Sequence, residues 1–201
     1  QDSSSAASDV YKRQIYNSAT IDSPSSRYNL ARADAIIGNK RAALSAYRSL
    51  MRNNPEFFVA YLEAAHILIE QKEFAEARSI LSQAELQLDQ ADRDITMSEL
   101  WHQYLVARLL DEEDRMLPAS GSNGTRIQEV VNAYETALLL DPNEGLLFLR
   151  FHLARAYDRA GDEAKAREMF DQLVASPVLS YWTRDAYGEY LLSIGDFEGA
   201  I

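Results

Sequence analysis

The sequence contains no cysteine among its 201 residues, which excludes a disulfide framework, a thiolate metal site and a cysteine nucleophile. It has only 8 glycines and 5 prolines, too few for an all-β protein with many tight turns. No apolar run approaches the roughly 18–20 residues that a membrane-spanning helix requires. What remains is a chain whose hydrophobic fraction of 47% allows a sizeable core and whose common residues favour helices.

Positive charge is also scarce, and the formal net charge is −11. Nucleic-acid binding depends on basic groups that displace counterions from phosphates, so we expect no nucleic-acid partner. The charge is uneven, since residues 27–52 carry six basic residues and one acidic residue, whereas residues 85–114 carry nine acidic and two basic residues. We interpret both stretches as solvated helix faces, with a polarised docking surface as the alternative.

The first residues show neither a helical nor a strand period, and they lack the basic and apolar regions of a signal peptide. The run from Ser4 to Gln14 resembles a translated sequencing-adaptor string of the kind that contaminates metagenomic gene predictions. We therefore set residues 1–23 apart as an artefactual or disordered segment and linker. Because the chain also lacks a starting Met, we expect a fragment whose compartment stays open: cytoplasmic or periplasmic if the source is bacterial.

Three glycines, Gly38, Gly161 and Gly195, lie in similar surroundings. Each is followed by Asn or Asp, and an alanine comes five residues after the glycine. Where the chain continues, an aromatic ring follows four residues after that alanine. The alanines are Ala43, Ala166 and Ala200, and the rings are Tyr47 and Phe170. This recurrence indicates an internal repeat.

The pattern resembles the tetratricopeptide repeat, a unit of 34 residues with small, aromatic, glycine and proline residues at fixed positions. The resemblance implies repeats at residues 24–57, 58–91, 100–146 and 147–180, with a truncated fifth repeat at 181–201. Lys72 replaces the turn glycine of the second repeat. The third repeat requires an insertion at 111–126, where we predict a loop that begins with a solvated acidic run, Asp111 to Asp114.

The resemblance implies an all-α fold, a right-handed superhelical solenoid of antiparallel helix pairs with about 4.5 repeats. Each pair buries its apolar faces against its neighbours. We expect the glycines to form the turns between paired helices, and Asp162 and Asp196 to cap the helices that follow. The predicted helices are 26–37, 40–53, 56–71, 74–90, 94–111, 126–140, 144–160, 163–175, 179–194 and 197 onward.

Signatures of catalysis and metal binding are missing from the sequence. The three histidines, His66, His102 and His152, lack the spacing of a zinc site, and we interpret them as surface or groove residues. There is neither a glycine-rich phosphate loop nor a nucleophile elbow. We therefore predict no enzymatic activity, no metal and no cofactor.

The resemblance implies that the first helix of each repeat, the A helix, lines a concave groove that binds a peptide. Carried over position by position, the groove is rich in aromatic residues and arginine, which are common in binding hot spots. The predicted groove residues are Tyr28, Asn29, Arg32, Leu62, Glu63, His66, Trp101, Tyr104, Phe148, Phe151, His152, Arg155, Arg159, Trp182, Asp185 and Glu189. The basic and Asn pattern of the family's chaperone-type carboxylate clamp is not reproduced, so we do not expect chaperone tails as ligands.

The function that fits best is a scaffold that binds a protein or peptide partner, with no membrane contact in this segment. A first alternative is the regulatory or substrate-docking region of a larger enzyme or transcription regulator. A second alternative is an architectural role, in which the array self-associates into a homo-oligomer through its exposed repeat ends.

Overall fold

In a computed structural model of the chain, the described residues are 23–89, 96–117, 124–141, 147–175, 187–192 and 194–196. These residues form helices and turns without strands, so the predicted all-α class is confirmed. The helices are α1 (Pro24–Ile36), α2 (Lys40–Asn53), α3 (Val59–Glu70), α4 (Phe74–Asp89), α5 (Thr96–Arg115), α6 (Gly124–Leu139), α7 (Leu147–Ala160) and α8 (Glu163–Ala175). Residues 187–192 are also helical.

The chain divides into two compact units: an N-terminal unit, residues 1–92, and a C-terminal unit, residues 93–201. In the N-terminal unit α1 packs on α2, α2 on α3 and α3 on α4. In the C-terminal unit α5 packs on α6, α6 on α7 and α7 on α8. Each helix thus packs on its sequence neighbour, as expected for stacked helix pairs. The A helices are α1, α3, α5 and α7.

Four turns share one hydrogen-bond pattern, although one of them lacks glycine. At Gly38, Gly161 and Gly195 φ is 89°, 77° and 79°, the left-handed region that glycine enters without cost. Lys72 takes the same conformation with a φ of 64°. In the Lys72 turn the amide of Glu73 donates to the carbonyl of Leu68 over 2.9 Å, the long-range bond of a Schellman turn.

Side chains cap the starts of α1 and α8. Ser23 accepts a hydrogen bond from the amide of Ser26 over 3.2 Å, and Pro24 occupies the first helical position of α1. Asp162 accepts from the amide of Lys165 over 3.2 Å, so its predicted role as a cap of α8 is confirmed. The helix that Asp196 was predicted to cap lies outside the described residues.

Four alanines at equivalent positions of the A helices are fully buried. Ala31, Ala65, Ala107 and Ala154 expose none of their surface. The rings of the second helices, Tyr47, Tyr134 and Phe170, are equally enclosed. Alanine lets two backbones approach closely and a large ring fills the space between pairs, so this alternation places the core along the helix stack.

Two predictions about helix ends are wrong. The helix predicted for residues 56–71 begins at Val59, because the chain after Pro55 first forms a turn. The loop predicted at 111–126 is helical at both ends, since α5 continues to Arg115 and α6 begins at Gly124. Asp111 and Asp114, predicted as a solvated acidic run, expose only 2% and 3% of their surface. Their burial is possible because α7 supplies a cation, as described below.

Candidate functional site

Five aromatic side chains from two neighbouring A helices form one cluster in the C-terminal unit. We call it the ring face: Trp101 and Tyr104 of α5, and Phe148, Phe151 and His152 of α7. The Trp101 and Phe148 rings stack with centroids 5.4 Å apart, and the Tyr104 ring meets Phe148 edge-on at 4.9 Å. Spacings of three and four residues put each helix's rings on one side, which is why they meet.

The ring face has a closed floor and an open rim. Tyr104 is 4% exposed and forms the floor, whereas the other four rings are half-buried. Tyr104 was predicted to contact a ligand, and the structure places it beneath the rings that remain accessible. Half-buried rings keep apolar surface that a partner can cover, so the rim is where the ring face can bind.

His152 serves this cluster as a neutral ring. It stacks on Tyr134 with an interplanar angle of 7°, and its Nδ1 atom is buried without a hydrogen-bond partner in the described part of the chain. Burial, reinforced by the charge of Arg108, lowers its pKa to about 4. His152 therefore contributes an aromatic surface and no positive charge at neutral pH.

Two arginines lie on the rings. Arg155 stands over Phe151 at 5.8 Å from the ring centroid, a cation–π contact on the exposed side. Arg108 lies 5.9 Å from the Tyr104 ring centroid and donates to the Tyr104 hydroxyl over 3.0 Å. Because Glu112 also approaches Arg108 to 3.7 Å, the charge of Arg108 is already matched inside the unit.

Arg159, predicted as a groove residue, is bound by two buried acids. Its guanidinium forms ion pairs with both Asp111 and Asp114 of α5. Arg115 adds a bond to Asp111 over 3.0 Å, and we call these four residues the buried ion cluster. A buried carboxylate is tolerated only when cations and donors surround it, and this requirement ties α7 to α5. The cluster thereby holds the two helices that carry the ring face.

The equivalent face of the N-terminal unit is more polar. Tyr28 of α1 donates its hydroxyl to Glu63 of α3 over 3.1 Å, and its ring lies 5.6 Å from Phe57. Burial and the neighbouring carboxylate raise the pKa of Tyr28 to about 12. His66 approaches Glu70 to 3.3 Å on the same helix. Among the described contacts, the Tyr28–Glu63 hydrogen bond, and not a pair of stacked rings, joins the two A helices here.

The remaining predicted groove residues are spread over different environments. Asn29 and Arg32 are exposed on α1, and Glu189 is exposed in the helical segment 187–192. Leu62 exposes only 7% of its surface and belongs to the core. Trp182 and Asp185 lie outside the described residues. The groove as a complete set therefore stays a prediction.

The prediction that every histidine is a surface or groove residue is wrong for His102. Its exposed fraction is 2%, because the position falls on the inner side of α5 together with the buried Leu105 and Leu109. The sequence also did not single out Arg108 or the acids of the buried ion cluster. Arg108 could have been found, since it occupies the same repeat position as Arg32, His66 and Arg155.

A separate pocket of about 530 Å³ lies in the C-terminal unit, between α6 and the turn that joins α7 to α8. Its lining includes Gln128, Tyr157, Asp162 and Lys165. Tyr157 donates to Glu135 over 2.5 Å, and the Lys165 ammonium lies 5.0 Å from the Tyr157 ring. These polar groups satisfy one another, so the pocket wall presents little unmatched charge to a ligand.

Two further searches cover only the part of the chain that the structure describes. Within it, no group of histidine and carboxylate side chains has the geometry of a metal site. No helix there combines the length and apolar character needed to cross a membrane.

Comparison with known proteins agrees with this architecture. Models of the tetratricopeptide repeat match residues 38–96 and 149–176. A search of curated proteins finds no match. Among solved structures, a thermophilic tetratricopeptide repeat protein of Thermus thermophilus matches with a TM-score of 0.70 and 17% identity, over 89% of this chain and 86% of that one.

Two other solved structures are similar. PilF of Pseudomonas aeruginosa matches with a TM-score of 0.66 and 15% identity, over 98% of this chain and 81% of that one. YrrB, described as a repeat protein of the same type with an unusual peptide-binding site, matches with a TM-score of 0.55 and 14% identity. That match covers 88% of this chain and 80% of YrrB. At these identities the likeness concerns the fold.

Proposed function

Since this chain is a tetratricopeptide repeat protein, we propose that it is a scaffold that binds a peptide segment of a partner protein on its A helices. Proteins of this family are generally non-catalytic scaffolds, and the proposal extends that property to this chain. The ring face of the C-terminal unit is the principal contact surface, and the Tyr28–Glu63 face of the N-terminal unit is the second.

The observation that carries the proposal is the stacked but half-open arrangement of Trp101 and Phe148. Both rings are held by neighbours, so a partner that covers them loses little side-chain entropy. Rings of this kind beside an arginine are the usual energetic centre of a protein interface. YrrB is described as having a peptide-binding site, and this supports peptide binding as a use of this fold.

The shape of the face favours a peptide over a small molecule. The rings come from two adjacent helices and form a row across them, with an open rim and a closed floor. A linear segment can lay successive side chains along such a row, whether it is extended or helical. A small ligand would instead require a concave pocket that encloses most of its surface.

The test is selection of binders from a phage-displayed library of random peptides with the wild-type chain as bait. Synthetic versions of the selected peptides are then titrated against Phe148→Ala and against the double variant Phe151→Ala with Arg155→Ala. We expect both to lose affinity at least roughly tenfold, since they remove ring surface at the rim. Far-UV circular dichroism checks that helicity is retained.

The matched control is Leu139→Ala, which removes an exposed apolar side chain from α6, away from the ring face. This variant should bind the same peptides as tightly as the wild-type chain. Peptides that bind the control and both ring-face variants equally would place the binding site elsewhere. Failure to select any peptide would contradict the proposed function.

A further inference from the structure

One repeat position carries a basic residue type in four successive A helices. Counted from the predicted starts of the repeats, the ninth residue is Arg32, His66, Arg108 and Arg155. The fifth repeat departs from this, with Glu189. The recurrence is unexpected in a chain of net charge −11, in which acidic residues are far more numerous than basic ones. Basic side chains are therefore concentrated on the side of the A helices that is proposed to bind.

Two of these four side chains already have partners. Arg108 is held by the hydroxyl of Tyr104 and by Glu112. His66 lies 3.3 Å from Glu70, which also accepts a bond from Lys40. Each side chain contacts an acid inside its own unit, so neither is a group without a partner that a ligand would have to supply.

The other two side chains, Arg32 and Arg155, are exposed. Among the described residues, neither guanidinium forms a hydrogen bond or an ion pair. Arg155 rests on the Phe151 ring, which orients it without neutralising it. Asp158 lies one turn further along α7. Burial raises the pKa of its carboxyl group and the charge of Arg155 lowers it, although the two side chains form no ion pair among the described residues.

Four other arginines of the C-terminal unit have acidic partners. Arg115 and Arg159 are bound by the acids of the buried ion cluster, and Arg150 lies 3.9 Å from Asp141. Arg126 lies 3.3 Å from Glu113. Arg155 is thus the arginine beside the ring face that is exposed and forms no ion pair with the described residues of this unit.

A guanidinium with a fixed orientation next to an aromatic ring favours a planar anion. It donates two parallel hydrogen bonds to a carboxylate, and the ring beneath it excludes water on one side. An aromatic or aliphatic neighbour in the same segment would cover the rings of the rim. The net charge of −11 opposes such a partner at long range, so the preference must arise from these local contacts.

We propose that the segment bound on the ring face is acidic, and that it presents a carboxylate to Arg155. On the N-terminal unit, Arg32 is the side chain that can make the same kind of contact with an acidic segment. This inference rests on the proposed function and adds the chemistry of the partner. It assigns Arg32 and Arg155 as the residues that determine specificity, and it assigns the rings as the source of affinity.

The experiment uses the full chain and the peptides selected from the random phage-displayed library. We expect Asp and Glu to be enriched among them next to an apolar residue. Each synthetic peptide is compared with its analogue in which Gln or Asn replaces the acid. The wild-type chain should bind the acidic form about five- to tenfold more tightly. Arg155→Gln should reduce that preference to less than about twofold, and Arg155→Lys should restore part of it.

Arg32→Gln tests the equivalent contact on the N-terminal unit in the same way. The matched control for both is Arg41→Gln, which makes the same charge change on α2, outside the A-helix faces. The control should keep the full preference for the acidic peptide. A general effect of net charge would instead make all three glutamine variants behave alike, and that result would overturn the inference.

The other outcomes separate the two proposals. Peptides that bind the ring face with no preference for acids would overturn the acidic partner and leave the scaffold function standing. A preference for phosphorylated over carboxylate peptides would likewise overturn it. If no peptide binds and the ring-face variants change nothing, the proposed function fails together with the inference.

Discussion

The two units place a tyrosine at the same repeat position and treat its hydroxyl group differently. Tyr47 in α2 and Tyr134 in α6 are both fully buried. The Tyr134 hydroxyl donates to Asp111 over 3.3 Å, whereas the Tyr47 hydroxyl has no hydrogen-bond partner among the described residues. The position equivalent to Asp111 in the first repeat is Ala35, which cannot accept a hydrogen bond. One acid on the A helix thus decides whether this buried hydroxyl is satisfied.

The same contrast holds for the ion pairs. In the N-terminal unit Lys40–Glu70 and Arg48–Glu76 join helices of successive repeats through side chains that are about 40% exposed. In the C-terminal unit the acids of the buried ion cluster are almost completely enclosed. Exposed pairs contribute little to stability because water screens them, and buried pairs become costly when one partner is lost. The two units have the same kind of backbone fold, but their helices are joined by exposed ion pairs in one unit and by buried ion pairs in the other.

The largest predicted effect is removal of the acid at the centre of the buried ion cluster. Asp111→Ala should lower the free energy of unfolding by about 3 kcal/mol, because the buried Tyr134 hydroxyl loses its acceptor and Arg115 and Arg159 each lose an ionic partner. Glu76→Ala, its counterpart in the N-terminal unit, should cost less than about 1 kcal/mol. Urea denaturation followed by circular dichroism measures both. Equal losses would mean that burial does not distinguish the two units.

The next effect is the pH dependence that His152 adds to the C-terminal unit. Its pKa of about 4 in the folded chain lies below the ordinary value of 6.5, because burial disfavours the charged ring. The folded state therefore resists protonation, and stability falls as the pH decreases from 6.5 towards 4. At pH 5 the loss from this group is about 2 kcal/mol relative to pH 7.

The measurement is urea unfolding at pH 7 and pH 5, for the wild-type chain and for His152→Phe. The phenylalanine keeps a ring against Tyr134 and cannot titrate, so this variant should lose less stability on acidification than the wild type. Proton NMR of the imidazole gives an independent reading of the pKa. A ring that titrates near pH 6.5 in the folded chain would refute the assigned environment of His152.

Replacing each of the two tyrosines by phenylalanine removes one hydroxyl oxygen and so compares the two hydroxyl groups directly. Tyr134→Phe should cost about 1 kcal/mol, because Asp111 loses a hydrogen-bond donor in a buried site. Tyr47→Phe should be neutral or slightly stabilising, because it removes a buried hydroxyl that has no partner among the described residues. Thermal and urea unfolding of the two variants decide the matter. If Tyr47→Phe were the more damaging change, its hydroxyl would have to be bonded in solution.

The sequence predicted the features of the fold that depend on residues at fixed, short spacings within one repeat. The turn glycines, the buried alanines and the rings of the second helices recur with fixed spacing, so register alone predicts Gly161, Ala154 and Phe170. The same register predicts that Phe148 belongs to an A-helix face. Its stacking on Trp101, which lies across an irregular repeat, becomes visible only in three dimensions.

Features that depend on distant partners were not predictable in this way. Asp111 and Asp114 were predicted to be solvated, since Arg159, the cation that pairs with them, is more than 40 residues away in the sequence. Arg159 read as a ligand contact, since that is what its repeat position implies in the family. The prediction of a solvated acidic run was wrong because a pair of buried charges has no local sequence pattern. Only the packing of α7 beside α5 reveals that Arg159 contacts both acids.

The smallest predicted effect concerns the turn of the second repeat, in which Lys72 replaces the repeat glycine. Lys72 adopts a φ of 64°, which costs a residue with a Cβ atom about 1 kcal/mol, whereas glycine pays nothing there. Lys72→Gly should therefore be more stable than Lys72→Ala by up to about 1 kcal/mol, even though glycine gains entropy in the unfolded chain. Gly161→Ala, the reverse change in the C-terminal unit, should cost about 1 kcal/mol although no atom lies within 4 Å of the added methyl group. Urea unfolding of the three variants tests backbone strain separately from packing. An alanine at 72 as stable as glycine would show that the strain in this turn is relieved elsewhere, so that the two units tolerate the same turn in different ways.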